Sequence, residues 1–197
     1  MIIFDLDGTL ADCDHRQYLV DIEKALDKGF LPAHKVFGRS FSNDENRNIY
    51  HPTTHEKWKP DWKSFYESCS EDQPNEAIIK VYKSLMVHYD IQIWSGRCES
   101  VRDKTLDWLH THLDLDFYSD NCCPILKMRP IGDSTPDDQL KESWLDERIK
   151  YCEDTRPNGL IFNNPSDIEM VFDDRQKVVD MWRRRGITCL QVAPGDF

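Results

Sequence analysis

The 197-residue sequence lacks several features that define common protein classes. No apolar run approaches the roughly 20 residues of a membrane-spanning helix. The short apolar start, residues 1–4, leads directly into acidic residues, which argues against a signal peptide. No Gly-x-x-x-x-Gly-Lys-Ser/Thr segment is present, so the phosphate-binding loop of a P-loop kinase is missing. We therefore expect a soluble protein with no membrane partner and no kinase domain.

A Cys-x-x-Cys motif and an excess of positive charge are also missing. The seven cysteines are odd in number and contain no Cys-x-x-Cys pair. This favours reduced thiols in the cytoplasm over a disulfide framework. A net charge of −11 argues against a protein that binds long nucleic acid through bulk electrostatics. It still allows a local basic pocket for one phosphate or one chain end.

The sequence does contain the pattern of a packed α/β domain. Hydrophobic residues at 39% and aromatic residues at 11% are sufficient for a core. Short apolar runs alternate with amphipathic segments, which predicts a doubly wound, mostly parallel sheet covered on both faces. The predicted strands are residues 1–4, 89–94, 168–172 and 187–192, with short pieces near 117 and at 124–126; the predicted helices are 15–30, 62–69, 75–88, 99–113, 137–151 and 176–185.

Polar side chains follow three of the predicted strands. They form the segments Asp5-Leu-Asp7, Ser95-Gly96-Arg97 and Asp173-Asp174. Ligands bind at the carboxyl ends of parallel strands. We therefore expect these three segments to meet at one site.

Converging carboxylates indicate a particular chemistry. They repel each other and are costly to bury, and a hard cation such as Mg²⁺ resolves this cost. An acid left over can attack phosphorus and form an aspartyl phosphate. The Ser-Gly-Arg segment can bind phosphoryl oxygens. A lysine is needed to offset the charge, and Lys127 and Lys141 are the candidates.

A segment with a different composition interrupts the predicted domain. Residues 34–63 carry six basic and four acidic side chains, a net charge of +2 in an acidic chain. Five aromatic residues are interleaved with them: Phe37, Phe41, Tyr50, Trp58 and Trp62. The segment suits either a cap that stacks a base and meets a phosphate or a surface excursion whose aromatics pack on the body. We predict a single domain over 1–197, with a cap insertion contained in 18–74.

Two sets of motifs carry a resemblance to a known family. Asp5-Leu-Asp7-Gly8-Thr9-Leu resembles the first motif of the haloacid dehalogenase superfamily of phosphohydrolases, and Ser95, Lys141 and Asp173-Asp174 stand where its later motifs fall. A closer resemblance is to the 3′-phosphatase domains of bacteriophage polynucleotide kinase–phosphatases. Its motifs are Arg16, the segment 95–97, Met128-Arg129-Pro-Ile-Gly132-Asp133, Asp137-Asp138-x-x-Lys141, Phe172-Asp173-Asp174-Arg175 and the carboxyl-terminal segment 189–197.

The resemblance implies a role for each of these residues. Asp5 would be the nucleophile, and Asp7 the general acid–base, its backbone carbonyl also reaching Mg²⁺. The Asp5 side chain and Asp174, with Asp173 beside it, would complete the metal site. The remaining assignments are Ser95, Gly96, Arg97, Lys141 and Thr9 at the phosphoryl group, Arg16 and Arg129 on the substrate side, Asp137 holding Lys141, and Arg175 in support.

The implied activity is a Mg²⁺-dependent phosphomonoesterase acting on nucleic-acid 3′ ends, in the host cytoplasm if the protein is phage-encoded. Two alternatives stay open. One keeps the chemistry and changes the substrate to free nucleoside monophosphates, because an insertion between the first and second motifs can change which substrate the site accepts. The other is a non-catalytic nucleotide-binding protein on the same scaffold, which would have lost at least one chemical group.

Overall fold

The computed structural model describes residues 1–29, 59–113, 125–155 and 167–195, and the structural statements below concern these residues. They separate into two compact units, one formed by Met1–Cys13 and Cys69–Phe197 and the other by Asp14–Ser68. The strands are β1 (Ile2–Phe4), β2 (Ala11–Asp12), β3 (Gln73–Pro74), β4 (Ile91–Cys98), β5 (Ile125–Arg129), β6 (Met170–Arg175) and β7 (Thr188–Gly195); the α-helices are α1 (Ile22–Asp27), α2 (Trp62–Glu67), α3 (Glu76–Leu85), α4 (Arg102–Leu113), α5 (Asp137–Thr155) and α6 (Gln176–Arg184).

The first unit is built on a parallel sheet of five strands in the order β5-β4-β1-β6-β7. The carboxyl ends of β4, β1 and β6 therefore lie side by side at one edge. The order places the first strand of the chain at the centre, between strands that come much later. The predicted α/β class with a mostly parallel sheet is confirmed.

Helices cover both faces of this sheet. Neighbouring residues of a strand point to opposite faces, and Ile3 and Phe4 of β1 do so here. Ile3 belongs to a buried cluster with side chains of α5 and α6, in which the Trp94 ring meets those of Trp144 and Trp182 at 5.8 Å and 5.7 Å between centroids. Phe4 stacks on Phe172 at 4.3 Å and contacts the Tyr82 ring of α3. The sheet is thus doubly wound.

The two strands that carry polar motifs run further than their apolar runs predict. β4 continues to Cys98 and β6 to Arg175, and the pairing register of each strand shifts at its polar end. The shifts fall between Ser95 and Cys98 and between Asp173 and Arg175. Irregularities of this kind change the direction in which side chains point at the edge of a sheet. The polar motifs therefore occupy the last, irregular residues of the strands.

The second unit begins with a break in the helix predicted over 15–30. The structure has a 3₁₀ turn at Gln17–Leu19, and α1 starts only at Ile22. The Asp21 side chain accepts hydrogen bonds from the amides of Glu23 and Lys24, so it caps α1 and ends the preceding turn.

The limits of this unit, 14–68, differ from those of the predicted insertion, 18–74, and its action as a cap stays a prediction. Of the aromatic residues predicted to act with it, Trp62 is 47% exposed and pairs with the rings of Phe65 and Tyr66. The other four aromatic residues lie outside the described residues: Phe37, Phe41, Tyr50 and Trp58. The strand expected near residue 117 also lies outside them. Within the described ranges, no helix is both long and apolar enough to cross a membrane.

Candidate active site

Three buried carboxylates and one ammonium group meet beyond the ends of β1 and β6. Asp5 directly follows β1, Asp173 and Asp174 lie near the end of β6, and Lys141 comes from the first turns of α5. The Lys141 Nζ donates to Asp5 Oδ1 at 2.6 Å and to Asp173 Oδ2 at 2.7 Å. All four side chains are almost completely buried. Lys141 thus pairs with two of the three acids.

This excess of negative charge changes the protonation of the acids. Burial, and to a smaller extent the neighbouring Asp173 and Asp174, raises the pKa of Asp5 well above its ordinary value, although Lys141 opposes the shift. Burial and the neighbouring Asp173 raise the pKa of Asp174 to about 7. Burial would lower the pKa of Lys141, but the negative charges of Asp173, Asp5 and Asp137 outweigh that effect and raise it. Lys141 is therefore charged, and one further positive charge would stabilise the ionised carboxylates.

The donor set fits a hard divalent cation. Asp5, Asp173 and Asp174 each offer a carboxylate oxygen, and these oxygens lie within 4.8 Å of one another. All donors are oxygens, as Mg²⁺ prefers. The raised pKa values of Asp5 and Asp174 indicate the same need for positive charge.

The loop after β1 holds Asp174 closely. Gly8 has a φ of +86°, and a Cβ added at this position would lie 2.1 Å from Asp174 Oδ2. Only a glycine allows both the left-handed backbone and this approach. Thr9 is buried, and its hydroxyl donates to Asp174 Oδ1 at 3.5 Å. Gln191 of β7 donates to the Asp174 carbonyl oxygen. The first motif thus positions a side chain that stands 166 residues after Gly8.

Asp7 has a different environment from Asp5. Its side chain is 18% exposed, and its Oδ1 accepts a hydrogen bond from Arg97 Nε at 2.8 Å and a second from the same guanidinium. Arg97 is completely buried and also donates to Asp72. Ser95 Oγ accepts from the Arg97 amide at 3.2 Å. The structure therefore places Arg97 against two carboxylates, whereas the family resemblance assigns it to the phosphoryl group.

Asp137 forms a further ion-pair network beside the cluster. Its two oxygens accept hydrogen bonds from the guanidinium groups of Arg129 and Arg175. Arg129 also donates to the Gly96 carbonyl at 2.9 Å. The expectation that Asp137 holds Lys141 differs from this arrangement, because Lys141 donates to Asp5 and Asp173 instead. Asp137 acts on Lys141 only as a nearby negative charge.

Two other predicted residues lie elsewhere. Lys127, the alternative lysine, pairs with Glu147 at 2.6 Å and lies over the rings of Trp94 and Trp144, so the structure selects Lys141 for the cluster. Arg16 belongs to the second unit, where its guanidinium donates to the Phe65 carbonyl and stacks on the Phe65 ring at 4.1 Å. Its assignment to the substrate stays a prediction.

Sequence reasoning missed Asp72. This residue stands in an acidic, polar stretch, Ser70-Glu-Asp-Gln73, with no motif around it, and nothing there distinguishes a buried acid from an exposed one. In the structure its side chain is inaccessible to solvent and pairs with Arg97.

A protein-family model matches residues 54–197 of the chain. The model describes the polynucleotide kinase PNKP phosphatase domain, a branch of the haloacid dehalogenase phosphohydrolases. The match includes the segment 95–97, Lys141 and Asp173-Asp174, and it begins after Asp5 and Asp7. The chain belongs to the PNKP phosphatase-domain family.

Two solved structures with TM-scores above 0.5 show the same fold. One is a chain of the Pnkp1/Rnl/Hen1 RNA repair complex, 24% identical, with a TM-score of 0.57, matched over 100% of this chain and 43% of that chain. A second structure of a Pnkp1/Rnl/Hen1 complex is 23% identical, with a TM-score of 0.58, over 100% and 46%. A haloacid dehalogenase-like hydrolase, SP0104 from Streptococcus pneumoniae, is 19% identical, with a TM-score of 0.47, over 96% and 82%. The protein thus spans less than half of the first two chains.

Proposed function

We propose that the protein is a Mg²⁺-dependent phosphomonoesterase that works through an aspartyl phosphate and removes 3′-phosphates from polynucleotide ends. The observation that carries the proposal is the cluster at the end of β1, where Asp5 meets Lys141, Asp173 and Asp174. The membership of the chain in a phosphatase family supports the reaction class.

Asp5 is the proposed nucleophile. Its carboxylate oxygen attacks phosphorus, and the ester bond between phosphorus and the leaving oxygen breaks. Lys141 contacts the same carboxylate, so its charge offsets the negative charge that gathers on the phosphorylated acid. Water then attacks the aspartyl phosphate, releases inorganic phosphate and regenerates Asp5.

Asp7 is the proposed proton carrier. It gives a proton to the leaving oxygen in the first step and takes one from the attacking water in the second. Partial exposure of its side chain suits a group that meets both the leaving oxygen and water. Arg97, which donates twice to its Oδ1, holds it in place.

Asp5, Asp173 and Asp174 are the residues that would hold Mg²⁺ through their side chains. The backbone carbonyl of Asp7 is a further ligand implied by the resemblance. When bound, the cation supplies positive charge that offsets the charge of the phosphoryl oxygens.

The proposed substrate is a polynucleotide 3′ end. One similar chain comes from a Pnkp1/Rnl/Hen1 complex described as an RNA repair complex, and the family is named for a polynucleotide kinase phosphatase. A second candidate substrate is a free nucleoside monophosphate, and the net charge of −11 favours it because long nucleic acid is repelled by such a surface.

Phosphate release separates the two substrates. The protein is incubated with Mg²⁺ and a 3′-phosphorylated DNA or RNA oligonucleotide, and in parallel with 3′- and 5′-mononucleotides. The Asp5→Asn protein, prepared in the same way, measures the background. We expect the oligonucleotide to have the highest kcat/KM. Turnover of 5′-mononucleotides alone would show that the polynucleotide assignment is wrong.

A further inference from the structure

Asp72 is a buried acid outside the proposed cluster, and its position calls for an explanation. Its side chain and that of Arg97 are both inaccessible to solvent. Burial of an ion pair costs desolvation energy on both partners, and replacement by apolar groups is often neutral or stabilising. A fully buried pair next to a reacting group is therefore a candidate for a functional role.

Three contacts fix the backbone around Asp72. The next two residues form β3, which pairs antiparallel with β2, so that Gln73 faces Asp12 and Pro74 faces Ala11. The indole Nε1 of Trp108, on α4, donates to the Asp72 carbonyl at 2.8 Å. Because β2 directly follows the loop that carries Asp7, the β2–β3 pairing sets the position of Asp72 relative to that loop.

Arg97 links the two acids. Its guanidinium donates to Asp7 Oδ1 through two nitrogens and to Asp72 Oδ2 through one of them. A guanidinium is planar and its N–H bonds diverge in fixed directions, so a second acid bound to one of its nitrogens restricts rotation of the whole group. Without Asp72, the buried guanidinium would lose one of the contacts that oppose rotation about its side-chain bonds, and it would hold the Asp7 carboxyl less firmly.

We propose that Asp72 is a positioning residue for proton transfer: through Arg97 it holds the Asp7 carboxyl in line with the leaving oxygen. The inference rests on the proposed role of Asp7. The Asp72 side chain is inaccessible to solvent, so it does not reach the substrate, and the proposed effect passes through the Arg97 guanidinium. Its loss should therefore impair the transfer of the proton more than the binding of substrate.

A bridging sulfur in the substrate tests this directly. In a 3′-S-phosphorothiolate the leaving oxygen is replaced by sulfur, and a thiolate leaves without a proton, whereas an alkoxide needs one. Because hydrolysis of the aspartyl phosphate also uses Asp7 and is common to both substrates, the readout is the single-turnover release of the 3′ end. We expect Asp72→Asn to slow release of the 3′ hydroxyl by about tenfold or more, with substrate affinity changed less than about twofold and release of the 3′ thiol nearly unchanged. An equal loss on both substrates would overturn the proposal.

A double-mutant comparison adds a second readout. If Asp72 acts through Asp7, the Asp72→Asn change should have little further effect on kcat in an Asp7→Asn protein. Additive losses would contradict the proposal. Leu109→Ala, a cavity-forming change in the buried face of α4, is the matched control for lost stability, and it should lower activity equally on both substrates.

A milder variant covers the case in which Asp72→Asn does not fold. Trp108→Phe removes the donor to the Asp72 carbonyl and keeps both charges. It should give a smaller loss with the same preference for the sulfur analogue, and an equal loss on both substrates would again overturn the proposal. Absence of phosphate release by the unaltered protein from every substrate would instead contradict the proposed function, so the two failures are distinguishable.

Discussion

The two acids of Asp5-Leu-Asp7 lie two residues apart, yet they belong to different electrostatic environments. Asp5 shares one lysine with Asp173, and together with Asp174 these carboxylates are close enough to hold a cation. Asp7 is partly exposed and faces a guanidinium that a second acid holds in place. The comparison indicates that one site suits a metal and a nucleophile, while the other suits a carboxyl group with a fixed direction.

Replacement of the proposed nucleophile should give the largest effect. Asp5→Asn removes the attacking oxygen but keeps the size of the side chain, so turnover should fall by several orders of magnitude, roughly a thousandfold or more. Phosphate release under single-turnover conditions measures this loss. Weak binding of metal and phosphate should persist. Retained activity would contradict the aspartyl-phosphate mechanism and with it the distinction between the two acids.

The corresponding change at Asp7 should have a smaller and more selective effect. Asp7→Asn removes the proton carrier and leaves the Asp5 cluster intact, so we expect a loss of roughly a hundredfold or more. In single-turnover release of the 3′ end, the step before the aspartyl phosphate is hydrolysed, the loss should be much smaller with the sulfur-bridged substrate described above. If Asp5→Asn and Asp7→Asn responded in the same way to that substrate, the two acids would not have separate roles.

The close approach of Gly8 to Asp174 can be tested with a matched pair of glycines. Gly8 and Gly132 both have a positive φ, but an added Cβ meets the Asp174 carboxylate only at Gly8, and nothing lies within 4 Å of it at Gly132. Gly8→Ala should raise the Mg²⁺ concentration for half-maximal activity by roughly tenfold or more, because it displaces a proposed ligand. Gly132→Ala should cost only backbone strain, about 1 kcal/mol. An equal Mg²⁺ requirement in the two variants would contradict this role of Gly8.

The smallest expected effect is on the stability of the metal-free protein. The pKa of Asp174 is raised from 3.8 to about 7, so the folded state binds more protons than the unfolded state between these values. The contribution of Asp174 to stability is therefore fully present below the lower value and is lost as the pH rises through the upper one.

Asp174→Asn removes this titration. In the presence of a chelator, the Tm of Asp174→Asn minus that of the unaltered protein should increase as the pH rises from about 5 to about 8. Thermal melts at several pH values measure the difference. If the difference in Tm did not change with pH, Asp174 would not titrate in this range. The electrostatic contrast drawn here between the Asp5 cluster and Asp7 would then be wrong.

Much of the fold could be predicted because it depends on local patterns. Apolar runs of strand length and amphipathic helices of period 3.6 lie close to where the structure has them, as with β4 and α6. The helix expected over 15–30 is different, because the Asp21 side chain caps a new helix and so competes with the helical backbone around it. The shifts in register at Ser95 and Asp173 likewise arise from contacts with neighbouring strands.

The sequence by itself determined the parallel α/β sheet and the residues that end its strands. Periodicity and residue type act over a few positions, and the carboxyl ends of parallel strands must share an edge. Only the tertiary structure decided which partner each charged group has. Lys141, and not Lys127, contacts the acidic cluster. Asp137 pairs with two arginines, and Asp72 pairs with Arg97. The reason is physical: burial and pairing depend on residues far apart in the chain, so two acids of one short motif can have opposite surroundings.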